Sequence, residues 1–567
     1  MTYVRRIWCA GALALLPAAL AAQQRELPLK HAAQPTTAAI TPADLMTRLY
    51  IYADDSLQGR ETGTVGHLKA TQYIADEVRK MGLKPAGDNG TYFQNLPVFQ
   101  RWLDPKSTIS AGGTTLQALR DFIATPGRGG DPRSIDGAQV IFGGTMGDTT
   151  NELTAEQVKG KLVVMMAPAG RGRGFGFGRG RGGPNPMADA AGVATIVGDA
   201  LPEQMVKSAE PRPGNVIFKN GKPEPEVAAS LSITTHAAEV LLGMPLSQAT
   251  KGALGKTVAG NPKFLEKPAP ARNVVAILPG SDPKLKGEYV AIGAHNDHIG
   301  IRQGPPVDHD SLHLYNQARY AIVGMVPRGV QPTPEQQEAV RNIHINLDSV
   351  RQLRPVRLDS ISNGADDDGS GTVTVLEIAQ AFAKLPAKPK RSIIFVWHVG
   401  EEKGLWGSQW FTDHPTVPRD SIVAQLNMDM VGRGDAQDLP VGGPSYLQLV
   451  GSRRLSTELG DLVEAVNKTE PMPFNFDYQF DANGHPENIY CRSDHYSYAR
   501  YGIPVTFFTT GLHGDYHQVT DEPEYIDYEH MARVGKLVYD VAMHVADMDH
   551  RPVVDHPKPD PNGRCQQ

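Results

Sequence analysis

The chain has 567 residues, 40% hydrophobic and 21% charged, with 56 Lys and Arg against 62 Asp and Glu for a formal net charge of -6. This length exceeds what one compact core accommodates and predicts two or more domains. The acidic balance excludes an overall basic field of the kind that favours nucleic acid or an anionic membrane, so neither a nucleic-acid partner nor a stable membrane anchor is expected.

Arg5 and Arg6 precede an apolar run from Ile7 to Leu20, and Ala19-Leu20-Ala21 supplies small residues for cleavage. These are the three parts of a secretory signal peptide. The run is shorter than the roughly 20 residues needed to span a bilayer. Residues 1–22 are therefore expected to be removed, leaving a secreted or periplasmic protein, and losing two arginines takes the net charge from -6 to -8. Of the three cysteines, Cys9 lies in this run. Cys491 and Cys565 remain, enough for one disulfide but too few thiolates for a cysteine-based zinc site. Any metal must be held by His, Asp and Glu.

Residues 23–40 read as a loose start. Thr41-Pro42-Ala43-Asp44 is a helix opening, with Thr as N-cap, Pro in the first turn and an acid at the positive end of the dipole. A second helix follows from the spacing of Leu68, Tyr73, Ile74 and Val78, closed by Gly82. Residues 23–117 thus form an N-terminal helical part. Residues 118–262 differ in texture, with short β-prone runs such as 161–166 among many Gly and Pro, and predict an inserted β-rich domain. Within them, Gly170 to Gly183 alternates Arg, Gly and Phe. Such tracts can bind RNA, but in an acidic exported chain this one reads as a surface loop.

From Asn273 the pattern becomes α/β. Residues 274–278, 289–292, 392–397, 422–430 and 503–508 read as strands, and Gly371 to Leu385 as a helix with Val375, Leu376, Ala379, Phe382 and Ala383 on one face. Continuous apolar strands alternating with helices predict a mostly parallel central sheet flanked by helices over 263–550, followed by a tail at 551–567.

Most of the polar clusters fall where those strands end, the usual place for sites in open α/β sheets, and one leads into the helix that starts at Gly371. They are His295-Asn296-Asp297-His298, Asp366-Asp367-Asp368, His398 with Glu401-Glu402, Asn427-Met428-Asp429, and Asp515-Tyr516-His517. Singly, each is an ordinary surface pair or cap. Together they converge on one rim, where massed carboxylates would repel one another unless divalent cations neutralise them. The nitrogen and oxygen donors suit zinc.

In order and spacing these five blocks resemble peptidase family M28, the co-catalytic zinc aminopeptidase and glutamate carboxypeptidase group. Asp367 follows His295 by 72 residues, Glu402 follows Asp367 by 35, Asp429 follows Glu402 by 27 and His517 follows Asp429 by 88. The resemblance covers 273–548 and, more weakly, Leu57-Gln58-Gly59-Arg60 and Gly63-Thr64. It implies the zinc exopeptidase fold and two Zn2+ ions, with Asp367 bridging. His295 and Asp429 would hold one ion, Glu402 and His517 the other. Glu401 would be the general base toward a metal-activated bridging water, and Asp297 would accept the second imidazole N–H of His295. The segment around Gly160 to Val164 resembles a protease-associated domain. The stretch 302–355, with His309, His313 and His344, departs from the family pattern and reads as a surface excursion near the site mouth.

The resemblance thus implies an exopeptidase acting on peptides, an aminopeptidase first. A carboxypeptidase or other amidase on the same core is the alternative, because Arg492 and Arg500 lie near Ser493-Asp494-His495 and could anchor a carboxylate. A one-zinc glutaminyl cyclase and a non-catalytic ectodomain fit less well, since ligands for two metals are in place. Oligomeric state is not readable from the sequence.

Overall fold

The computed structural model describes residues 27–567 except 126–129, 149, 151, 169–186, 222–225 and 325–329. The expected signal peptide, residues 1–22, and the Arg-Gly tract lie outside the described residues. Two large sheets organise the rest.

The larger sheet has nine strands. Its centre runs Arg272–Leu278, Ser392–His398, Tyr289–His295, Ile422–Met428, Val505–Thr509 and Tyr446–Val450 in spatial order. The strand Tyr289–His295 pairs in parallel with both Ser392–His398 and Ile422–Met428, and the latter pairs in parallel with Val505–Thr509. Antiparallel strands flank this block on both sides. The strands are apolar on consecutive positions because both faces are covered. Val290, Ile292, Phe395 and Trp397 point into one core beneath the helices Pro42–Tyr52, Gly371–Lys384 and Tyr528–Asp547. Ala291, Ile394, Val396 and Phe507 point into the other, against Phe411 and Tyr498. This is the expected α/β class.

A second sheet of eight strands draws on residues Thr108 to Ala259 and closes its own core around Phe122, Val140, Val164, Leu231 and Leu241. The stretch 302–355 contains the helices His309–Val323, Pro334–Arg341 and Asp348–Leu353. The first of these lies against the loop that carries His517, where the Tyr320 hydroxyl donates to the Leu512 carbonyl at 2.7 Å. Cys491 and Cys565 form a disulfide that ties the C-terminal tail to the main sheet's domain. Among the described residues no helix is long and apolar enough to cross a membrane.

Candidate metal centre

Parallel strands end together, and their ends deliver the polar clusters. His295 closes its strand, Asp429 directly follows Met428, and Glu401-Glu402 sit in the turn after His398. His517 lies in the loop after Val505–Thr509, in a left-handed conformation. Asp367 comes from the tight turn 365–370 that opens the helix Gly371–Lys384. The Gly371 position has no room for a side chain, because a Cβ would lie 2.3 Å from Asp368 Oδ1.

These residues meet around Asp367. Its Oδ1 lies 3.1 Å from His295 Nε2, which is 3.6 Å from Asp429 Oδ1. Its Oδ2 lies 3.0 Å from His517 Nε2, which is also 3.0 Å from Glu402 Oε2. Two sets of donor atoms within 4.8 Å of one another result, His295 with Asp367 and Asp429, and His298 with Asp367 and Glu402. The nitrogens His295 Nε2, His298 Nδ1 and His517 Nε2 are buried and lack a hydrogen-bond partner despite these close carboxylates. Nitrogens that face carboxylate oxygens without bonding to them are placed to share a cation, and imidazole with carboxylate is a zinc-compatible donor set. The residues present therefore fit divalent metal.

The field is consistent with that reading. Burial opposes the charge on His295, yet the carboxylates of Asp429, Asp368 and Asp367 raise its pKa well above the usual imidazole value. Burial likewise opposes charge on His517, but Glu402 and Asp367 push it up to about 11. Asp367 is held well below the usual carboxylate range, against its burial, by His295 and His517. Glu401 goes the other way: burial, reinforced by Asp429 and Glu402, raises its pKa well above normal.

A layer of hydrogen bonds holds the donors. Asp368 accepts from the backbone N–H of His295 and of Gly371, both at 2.9 Å. Asp521 accepts from the N–H groups of Asp366 and Asp367. Ser493 donates to Asp429 Oδ2 at 2.7 Å, and Ser370 donates to the Asp366 carbonyl at 2.8 Å, securing the turn. Asp515 and His513 stand behind the site, Asp515 against His313 at 2.9 Å and His513 against Asp366 at 3.3 Å. His313 stacks on Tyr525 and His309 pairs with Asp359, so neither belongs to the metal-facing group.

The expected role of Asp297 requires correction. The atom near His295 Nδ1 is the main-chain oxygen of Asp297, at 3.0 Å, while its carboxylate stands off at 3.8 Å. That carboxylate is taken by three other donors: Gly400 N at 2.7 Å, Glu401 N at 3.2 Å and the Thr62 hydroxyl at 2.8 Å. The His-x-Asp spacing brings the Asp carbonyl back to the ring and sends the side chain to the next turn.

Beside these carboxylates is a pocket lined by Met430, Phe480, Ile489, Phe507 and Leu512, with Glu401, Asp429, Arg492 and Tyr516 on its polar side. Arg492 is paired to Glu487 at 2.9 Å. Arg500 is 5% exposed and bonds Asp413, Thr412 and the Pro561 carbonyl, away from the pocket. Sequence reasoning assigned no role to His298, Thr62 or Ser493. His298 stood in the first cluster, but only burial and distance separate it from an ordinary surface histidine.

Residues 330–542 match the model of Peptidase family M28. The chain is 29% identical over 260 residues to leucine aminopeptidase 1 of Paracoccidioides brasiliensis (strain Pb18), covering 44% of this chain and 61% of that protein. It is 32% identical over 211 residues to leucine aminopeptidase 1 of Ajellomyces capsulatus (strain NAm1 / WU24), covering 34% and 51%. The chain thus spans between half and three-fifths of the length of these curated relatives. Among solved structures, an aminopeptidase from Aneurinibacillus sp. strain AM-1 overlaps 92% of this chain and 97% of its own at 18% identity and a TM-score of 0.46. Four of the five clusters, from Asp366 to His517, fall within the residues that match the model of Peptidase family M28, and the chain is similar in sequence to leucine aminopeptidases.

Proposed function

We propose that the protein is an exported aminopeptidase that hydrolyses the first peptide bond of a substrate with a free amino terminus, using two zinc ions. The observation that carries this reading is the division of Asp367, whose two oxygens face two separate sets of imidazole and carboxylate donors. One ion would be held by His295, Asp429 and Asp367, the other by Glu402, His517 and Asp367. Metal bound there supplies Lewis acidity, which lowers a water pKa from ~15.7 toward about 7 and polarises the scissile carbonyl.

Glu401 is the base. It stands outside both donor sets and lines the pocket beside Asp367 and Asp429, where a carboxylate can take a proton from the attacking water. It then returns that proton to the amine as the C–N bond breaks. Glu401 and Asp429 give the pocket carboxylates for a substrate ammonium, while the pairing of Arg492 with Glu487 and the withdrawal of Arg500 argue against a carboxylate anchor. The apolar wall of Phe480, Ile489 and Phe507 suits a bulky aliphatic or aromatic terminal residue.

The test is a pair of peptides of one sequence beginning with Leu, one with a free and one with an acetylated amino terminus. Masses of the products are read after incubation with the mature protein. Release of Leu from the free peptide alone is expected. Shortening of both from the carboxyl end would move the assignment to a carboxypeptidase.

A further inference from the structure

His298 is wholly buried, and neither ring nitrogen has a hydrogen-bond partner among the described residues. An apolar-packed neutral imidazole of this kind would leave two polar atoms unsatisfied, at a cost of about 1–3 kcal/mol each. Yet the surroundings are far from apolar. Nδ1 lies 2.8 Å from Glu402 Oε1 and 3.7 Å from Asp367 Oδ2, and the ring stands edge-on to His517 with centroids 5.7 Å apart. The Oε1 atom of Glu402 is itself buried and lacks a hydrogen-bond partner. Two unsatisfied polar atoms therefore face each other at contact distance in an orientation that makes no hydrogen bond.

The backbone is shaped to put the ring there. Gly364 has φ +57°, and a Cβ on it would lie 2.5 Å from Cγ and Cδ2 of His298 and 2.2 Å from the Asp367 carbonyl. Left-handed glycine thus clears the space the imidazole fills beside the Asp367 turn. Residue 61 forms a β-bridge with His298, and the His298 N–H points to the Arg60 carbonyl, so the N-terminal segment fixes its main chain.

We propose that His298 is a direct ligand, through Nδ1, of the ion held by Glu402, His517 and Asp367, making that half of the centre richer in nitrogen than the His295 half. The inference rests on the two-metal reading above. It predicts different affinities for the two ions, with the ion on the His298 side bound more tightly.

Cobalt(II) is the probe. The mature protein loaded with two equivalents of Co2+ is examined by proton NMR in H2O for exchangeable, hyperfine-shifted imidazole N–H resonances, one for each coordinated histidine. Three such resonances are expected, from His295, His298 and His517. Two would overturn the proposal, and no bound cobalt at all would instead defeat the two-metal reading. Variants give an independent readout through cobalt visible absorption and metal competition. His298→Ala and His298→Asn should both weaken one ion by more than the ~100-fold that losing a merely supporting partner can cost, and both should change the spectrum. Asparagine can still donate a hydrogen bond to Glu402, so restoration of wild-type affinity and spectrum by His298→Asn would reduce His298 to an orienting residue and overturn the assignment.

Discussion

The main-chain N–H of Glu401 donates to Oδ1 of Asp297 over 3.2 Å, and Gly400 donates to the same oxygen over 2.7 Å. The end of the strand Tyr289–His295 therefore fixes the turn that carries the proposed base, while the Asp297 carbonyl meets the ring of His295. One residue couples a metal-facing imidazole to the base. The Thr62 hydroxyl completes the arrangement from the N-terminal part of the chain.

Asp297→Ala should accordingly lower kcat by roughly 10–100-fold, the range for lost support around a metal site. It leaves three buried donors without an acceptor, so the melting temperature should fall as well. Thr62→Val removes one donor and leaves Glu401 bonded. It should cost about 1 kcal/mol of stability and keep most of kcat. Steady-state kinetics and thermal unfolding of the two variants separate the effects; equal loss of kcat in both would show that the turn is held by something other than Asp297 Oδ1.

The Cys491–Cys565 bridge closes a loop of 74 residues next to Arg492 and Ser493. Chain entropy gives such a loop about 4 kcal/mol of stabilisation. Cys565→Ser should lower stability by up to that amount. Because the Tyr490 N–H and the Gly484 N–H both bond Gln567, release of the tail should also loosen the pocket wall and raise KM more than it lowers kcat. Denaturant unfolding and kinetics with and without reductant check both parts.

Two buried histidines make folding sensitive to acid. Burial, aided by Arg272 and Arg60, lowers His67 to about 4, and burial lowers His495 to about 3 despite Asp494. The unfolded chain takes up these protons near pH 6.5, the folded protein only near pH 4 and 3. Between those values the unfolded state binds more protons, so stability is full above pH 6.5 and falls as the pH drops. Each group contributes about 2 kcal/mol of loss between pH 6.5 and 5. Unfolding free energies across this window should show the slope, and His495→Phe, which keeps the stack on Phe507, should reduce it. An unchanged slope in that variant would assign the acid sensitivity elsewhere.

How much of this could be read from the sequence follows from how local each signal is. The central strands were visible because both faces of the sheet are covered, which makes 289–292 and 392–397 continuous apolar runs. The clusters were visible because strand ends deliver side chains in chain order. The strand Tyr446–Val450 and the helix Tyr528–Asp547 were not singled out, although the latter caps the main core. The helix His309–Val323 read as a polar excursion because ion pairs tie its first turn down: Arg351 and Arg354 to Asp310 at 3.0 and 2.7 Å. The contact to the His295 ring falls to the Asp297 carbonyl rather than its carboxylate, a distinction a sequence does not carry. His298 and Thr62 depend on contacts between distant parts of the chain, which periodicity does not report.

The central claim is that Glu401 moves the proton while other residues hold the metal. The most direct measurement is kcat of Glu401→Gln on a Leu-initiated peptide, with bound metal counted on the same preparation. The substitution keeps size and removes the base, so two ions per chain should remain while kcat falls by about 10²–10⁴-fold. Two bound ions with undiminished kcat would contradict the account.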